Sequence, residues 1–151
     1  MLPHLPRELK YLNISGCRNV DNLEGLPPNL VHLNLSNCFK LTDDDLKPVP
    51  LEILNLNLGG CFKLTDNVST NIPSNVTHLD LRGWYKLSDK FLAKLPNNLQ
   101  YLNLSSCYKI TDLAFKNLPP TLRLIDLSKC SKVTSDAVHL LSSKMIVKKE
   151  D

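Results

Sequence analysis

Leu99-Gln-Tyr-Leu-Asn-Leu-Ser-Ser-Cys-Tyr-Lys-Ile-Thr-Asp112 holds the pattern on which the reading of the whole 151-residue chain rests. Leu102 and Leu104 are separated by one residue, which puts their side chains on one face of a short strand and that of Asn103 on the other. Leu99 precedes this step by three residues and Cys107 follows it by three. The same spacing recurs at Leu30, Leu33, Leu35, Cys38, at Ile53, Leu56, Leu58, Cys61, at Val76, Leu79, Leu81, Trp84, and at Leu122, Ile125, Leu127, Cys130. A first copy stands at Leu9, Leu12, Ile14, Cys17. Between the apolar pair lies Asn13, Asn34, Asn57, Asp80, Asn103 or Asp126, so one face of every strand is solvated.

Punctuation outside the strands has the same period. Leu5-Pro6, Leu26-Pro27, Val49-Pro50, Ile72-Pro73, Leu95-Pro96 and Leu118-Pro119 are spaced by 21 residues once and then by 23 four times. From the second copy on, an apolar residue (Leu41, Leu64, Leu87, Ile110, Val133) is followed by Thr or Ser, and then in most copies by Asp43, Asp66, Asp89 or Asp112. A hydroxyl followed by an acid is a helix start, because both satisfy the positive N-terminal end of a helix. Short helical turns are expected there, with apolar pairs such as Leu92 and Leu95; Ser69 weakens this pattern in the third copy. Proline then ends each turn and directs the chain into the next strand.

Copies of this length cannot bury their apolar faces alone and must stack. The expectation is a single α/β solenoid over 1–151. Its repeats cover about 5–25, 26–48, 49–71, 72–94, 95–117 and 118–141, with a C-terminal cap over 136–151. A short parallel sheet lines the concave side, and short helices or irregular turns form the convex side.

Leu-x-x-Leu-x-Leu-x-x-Cys followed by Lys-Leu-Thr-Asp, as in Leu30 to Asp43, resembles the cysteine-containing leucine-rich repeat found in F-box and leucine-rich-repeat proteins. The resemblance covers residues 5–141. It implies a protein-interaction module or adaptor, in one version the target-recognition part of a ubiquitin-ligase receptor, with ligase components as partners by resemblance only. A structural subunit of a larger assembly is the alternative.

The chemistry expected from other residues is sparse. All five cysteines occupy one repeat position, and none stands in a C-x-x-C or similar metal-ligand spacing. They are expected to be buried free thiols, which favours a reducing, cytoplasmic setting. No metal, cofactor or catalytic residue is expected, and Gly59-Gly60 lacks phosphate-binding spacing. Formal charge is +3 from 18 basic and 15 acidic residues, too little for a general polyanion-binding surface. No apolar run approaches the ~20 residues that span a bilayer.

Surface columns carry the functional expectation. The first concave column reads Tyr11, His32, Asn55, His78, Tyr101 and Leu124, and a third, beyond the Asn/Asp series, reads Ser15, Ser36, Gly59, Arg82, Ser105 and Ser128. Tyr, His and Arg on a rigid sheet suit an interface. Candidate protein-binding residues are therefore Tyr11, His32, Asn55, His78, Asp80, Arg82, Trp84 and Tyr101. Trp84 has two readings, a core substitution in the cysteine slot or a surface anchor. A possible basic edge runs through Arg18, Lys40, Lys63, Lys86, Lys109 and Lys132, mostly beside an aromatic residue. Nucleic-acid binding along it is disfavoured, because Asp43, Asp66, Asp89 and Asp112 would partly neutralise it and packed aromatic stems explain the rings. At the N-terminus only Met1-Leu2-Pro3-His4 precedes the first copy, and Leu2-Pro3 looks like a repeat junction; an open end there is a further place for docking.

Overall fold

The computed structural model describes Leu2 and residues 4–150. The suggested Leu2-Pro3 junction and the last residue of the proposed cap, Asp151, lie outside the described residues. Seven three-residue strands form one parallel sheet in sequence order: β1 Tyr11–Asn13, β2 His32–Asn34, β3 Asn55–Asn57, β4 His78–Asp80, β5 Tyr101–Asn103, β6 Leu124–Asp126 and β7 Ile146–Lys148. Register is strict, with Tyr11, His32, Asn55, His78, Tyr101, Leu124 and Ile146 paired across neighbouring strands. The central residue of each of the first six strands, Leu12, Leu33, Leu56, Leu79, Leu102 and Ile125, points into the core. Both flanking residues face the concave side, as the period of two requires.

One core runs the length of the stack rather than gathering at a centre. In the second repeat Leu30, Leu33, Leu35, Cys38, Leu41 and Leu46 are all buried, and equivalent residues of later repeats continue the same columns. The convex side is built from single turns. Asp43–Leu46, Asp66–Thr70 and Asp112–Asn117 are 3-10 turns, Asp89–Leu92 is a four-residue α1, and Ser135–Ser142 is a longer α2. In the third repeat Val68 enters the core beside Ser69, so the turn forms despite the hydroxyl. The Ser69 hydroxyl is buried there without a hydrogen-bond partner.

Three ladders couple each repeat to its neighbour. The first is the cysteine slot. Cys38 Sγ donates to the Ile14 carbonyl at 3.3 Å, Cys61 to Leu35 at 3.1 Å, Cys107 to Leu81 at 3.4 Å and Cys130 to Leu104 at 3.0 Å. Trp84 continues the column by a different route, its indole Nε1 donating to the Leu58 carbonyl at 2.7 Å. The slot therefore selects a buried donor, and an indole N–H serves as well as a thiol. Cys17 corrects the expectation that all five thiols are buried. It is exposed, because no preceding repeat among the described residues supplies the carbonyl and the packing.

The second ladder reassigns the acids at the helical turns. Asp43 accepts from the backbone N–H and hydroxyl of Thr65 at 2.8 and 2.6 Å, one repeat away. Asp66 does the same for Ser88, Asp89 for Thr111 and Asp112 for Thr134. Each acid opens its own turn, as expected, but its carboxylate clamps the next repeat. Asn22 stands in the first repeat where Asp43 stands in the second, and Thr42 turns instead to Asp45 of its own turn at 2.7 and 2.6 Å.

The third ladder is a left-handed residue before every slot: Gly16, Asn37, Gly60, Gly83, Ser106 and Lys129, all with φ between 58° and 73° or, at Gly83, 77°. Its N–H donates to a carbonyl of the following repeat, as from Asn37 to Gly59 and from Lys129 to Glu150. That last bond belongs to the C-terminal end, where the expected cap holds a feature not foreseen. After α2 the chain forms β7, a seventh strand parallel to β6, with Val147 opposite Ile125.

Candidate functional site

The concave face is built by a rule local to each strand. The Asn or Asp at the strand end bends back to cap the turn: Asn13 Oδ1 accepts from Ser15 N, Asn34 from Ser36, Asn57 from Gly59, Asp80 from Arg82, Asn103 from Ser105 and Asp126 from Ser128, all at 2.9–3.0 Å. This is the Asx-turn geometry, which satisfies a backbone donor where the ladder ends. Recurrence of Asn or Asp is thus a structural requirement. One side chain reaches sideways, Asn103 Nδ2 donating to Asp80 Oδ2 at 3.2 Å.

The first column carries the features that differ between repeats. Tyr11 and His32 pack with ring centroids 5.8 Å apart, and His78 and Tyr101 stack at 5.9 Å with an interplanar angle of 26°. Asn55 lies between the two pairs in register with both histidines. Because an amide is shorter than an imidazole or a phenol, the column drops at Asn55 into a depression of about 300 Å³. Its walls are Tyr11 and His32 on one side and His78 and Tyr101 on the other; Asn34, Asn57 and Asp80 line its flank.

The His78 ring is oriented from beneath. The Thr77 hydroxyl donates to the Leu54 carbonyl at 3.2 Å and lies 3.0 Å from His78 Nδ1. This contact holds the ring in place and leaves Nε2 pointing away from the hydroxyl. The Tyr101 phenol is pushed up from its ordinary value, first by burial and then by the Asp80 and Asp126 carboxylates. It remains a neutral donor.

Arg82 lies over Gly59 of the preceding repeat. A Cβ at residue 59 would come within 2.9 Å of Arg82 Cγ, so glycine supplies the saddle across which the arginine stem runs. The sequence signal was present, since Gly59 interrupts a column of serines, but it gained meaning only once β3 and β4 were adjacent.

The structure brings Tyr11, His32, Asn55, His78, Asp80 and Tyr101 around one depression and places Arg82 beside it. Trp84 does not join them. It is 2% exposed, packs edge-on against Phe91 with centroids 6.2 Å apart, and belongs to the core. The surface-anchor reading of Trp84 is therefore corrected. Among the described residues no group of three or more His, Cys, Asp or Glu side chains comes together as a metal site, and no helix is long and apolar enough to cross a membrane.

The basic edge lies outside the concave face, on the loops that follow the strands. Lys40, Lys63, Lys86, Lys109 and Lys132 occupy one repeat position and are all exposed. Arg18 falls one position earlier, in the row held by Phe39, Phe62, Tyr85 and Tyr108. Phe39 and Phe62 stack at 5.5 Å with an 8° interplanar angle, Phe62 and Tyr85 follow at 5.7 Å, and Lys86 Nζ lies 5.7 Å from the Tyr85 ring centre.

No protein-family model and no curated protein sequence matches the chain. Among solved structures, a chain of the yeast Rad7 and Elc1 complex is similar over 82% of this chain and 43% of its own length, with 20% identity and a TM-score of 0.55. The leucine-rich repeat-containing protein LegL7 from Legionella pneumophila aligns over 80% of this chain and 56% of its own length, with 22% identity and a TM-score of 0.42. The chain thus spans less than two thirds of either. Sequential parallel strands, a lengthwise core and one helical turn per copy from the second copy on give this chain the leucine-rich-repeat fold.

Proposed function

We propose that this protein is an interaction module that holds a polypeptide partner on its concave face, with the depression over Asn55 as the specificity pocket. The observation that carries the reading is the two ring pairs, Tyr11–His32 tilted and His78–Tyr101 stacked, flanking one short amide in a strictly registered column. Such walls offer contact area with little entropy to lose, and the amides and Asp80 offer directional partners. A single side chain of the partner enters between the rings, while Arg82 and the Asn/Asp column meet its backbone.

Resemblance of the repeats to those of F-box and leucine-rich-repeat proteins supports a finer version, in which the module holds a target for a ligase assembled around it. A reducing intracellular setting goes with this reading. Four buried thiols that each donate to a carbonyl support it, because oxidation would cost both the packing and the hydrogen bond.

Asn55→Tyr tests the proposal. It fills the depression from its floor without touching the core. The expected result is that a partner captured from the native cell by the wild-type chain is lost by Asn55→Tyr and by His78→Ala, while denaturation midpoints stay unchanged. Retention of the same partner by both variants would move the binding surface elsewhere.

A further inference from the structure

We propose that the lysine and aromatic row on the loop edge is a second docking surface, and that its occupant is an acidic polypeptide segment. The row is distinct from the concave depression and does not depend on it. Lys40, Lys63, Lys86, Lys109 and Lys132 stand one per repeat, so neighbouring strand spacing sets them ~5 Å apart over about 20 Å.

Among the described residues no carboxylate forms a direct ion pair with a lysine of this edge. Asp43, Asp66, Asp89 and Asp112, three residues beyond a lysine in each case, turn their carboxylates to Thr65, Ser88, Thr111 and Thr134. Lys47 pairs with Asp44 on the convex turn, whereas among the described residues none of the five row lysines has a carboxylate within 4 Å. Like charges at ~5 Å repel by up to about 1 kcal/mol in water, and a bound anion removes that repulsion.

The rings decide which polyanion fits. Single-stranded nucleic acids gain their affinity by stacking bases on aromatic faces. Here the faces are already used, Phe39 on Phe62 and Phe62 against Tyr85. Insertion of a base between two rings needs about 7 Å, twice the ~3.4 Å stacking step, and the centroids are 5.5 and 5.7 Å apart. Phe62, Tyr85 and Tyr108 remain 41%, 46% and 50% exposed, so their rings border the lysine row directly. A ring rim carries the positive lobe of the quadrupole and so favours carboxylates, as the lysines beside it do. An extended segment of about six residues at ~3.4 Å each matches the length of the row.

The test is binding of a fluorescein-labelled peptide of eight glutamates to the full chain, read by anisotropy at 50 and 200 mM salt. The expected result is saturable binding that weakens with salt and falls at least tenfold in the Lys63→Glu, Lys86→Glu, Lys109→Glu triple variant, with no change in the convex control Lys90→Glu, Lys94→Glu. Because these residues are exposed, the triple variant folds, and its denaturation midpoint confirms that. No binding, equal loss in the control pair, or tighter salt-matched binding to an oligothymidylate or to phosphatidylserine vesicles would each overturn the proposal.

Discussion

The carboxylate of Asp89 receives two hydrogen bonds from Thr111, one from its backbone N–H at 2.8 Å and one from its hydroxyl at 2.6 Å, so one side chain at the start of a turn fastens the next repeat. Removing it leaves two half-buried donors without their acceptor, which costs about 1–3 kcal/mol. Asp44 differs: it pairs at 2.7 Å with Lys47 while both side chains are largely exposed, and such a pair is worth about 0–1 kcal/mol. Urea denaturation of Asp89→Ala and Asp44→Ala should therefore separate clearly, with the larger loss in Asp89→Ala and partial recovery in Asp89→Asn, which retains one acceptor oxygen. Equal losses would mean that the clamp contributes no more than a surface ion pair.

How much of this was legible beforehand depends on whether a feature lies within one repeat or between two. The Leu102–Leu104 step and the Leu95-Pro96 junction are local, and they placed the strands, the turns and the direction of the core. The Asp89–Thr111 clamp joins residues 22 apart, and from sequence its acid is indistinguishable from an ordinary helix-start residue. Likewise Asn55 was visible as a short residue between two histidines, but the depression arises only when Tyr11, His32, His78 and Tyr101 come into register. Cys17 was misassigned for the same reason: its spacing is identical to that of Cys38, and its exposure follows from what stacks against it.

Trp84 joins two roles in one side chain, filling the core at 2% exposure and donating to the Leu58 carbonyl at 2.7 Å. Trp84→Phe keeps much of the volume and loses the donor; Trp84→Cys restores the donor type found in four other repeats and leaves a cavity. Large-to-small changes of this kind cost about 3–5 kcal/mol, whereas a lost buried hydrogen bond costs about 1–3. The Cys variant is thus expected to be the less stable of the two, despite matching its neighbours in sequence. The wild-type indole should emit at short wavelength and resist iodide quenching, and ready quenching would contradict its burial.

Left-handed backbone before each slot gives a graded expectation. Asn37, Ser106 and Lys129 hold φ near 60° without being glycine, while Gly16, Gly60 and Gly83 meet the same demand without a side chain. Side chains in this region cost roughly 1–2 kcal/mol, partly offset by the larger chain entropy that glycine loses on folding. Lys129→Gly is therefore expected to stabilise by up to about 1 kcal/mol, and Asn37→Gly by less, because asparagine tolerates this conformation. A fall in melting temperature for Lys129→Gly would show that its stem, rather than its backbone, governs the site.

Burial pushes the thiols of Cys61 and Cys107 up to about 12 from an ordinary 9.0, desolvation outweighing the hydrogen bonds that favour the thiolate. In the unfolded chain these thiols ionise near their ordinary value, so above it the folded state holds more protons than the unfolded one, and stability falls as pH rises. The contribution is complete below about pH 9 and is lost progressively between about 9 and 12. Denaturation midpoints should be insensitive to these thiols up to that lower boundary and decline above it, with a shallower decline in Cys61→Ala once its lower starting stability is subtracted. Exposed Cys17 provides the internal reference. A disulfide reagent at pH 8 should modify one thiol at once and the other four only at the rate at which the stack opens. Immediate reaction of all five would remove both the buried column and the pH dependence built on it.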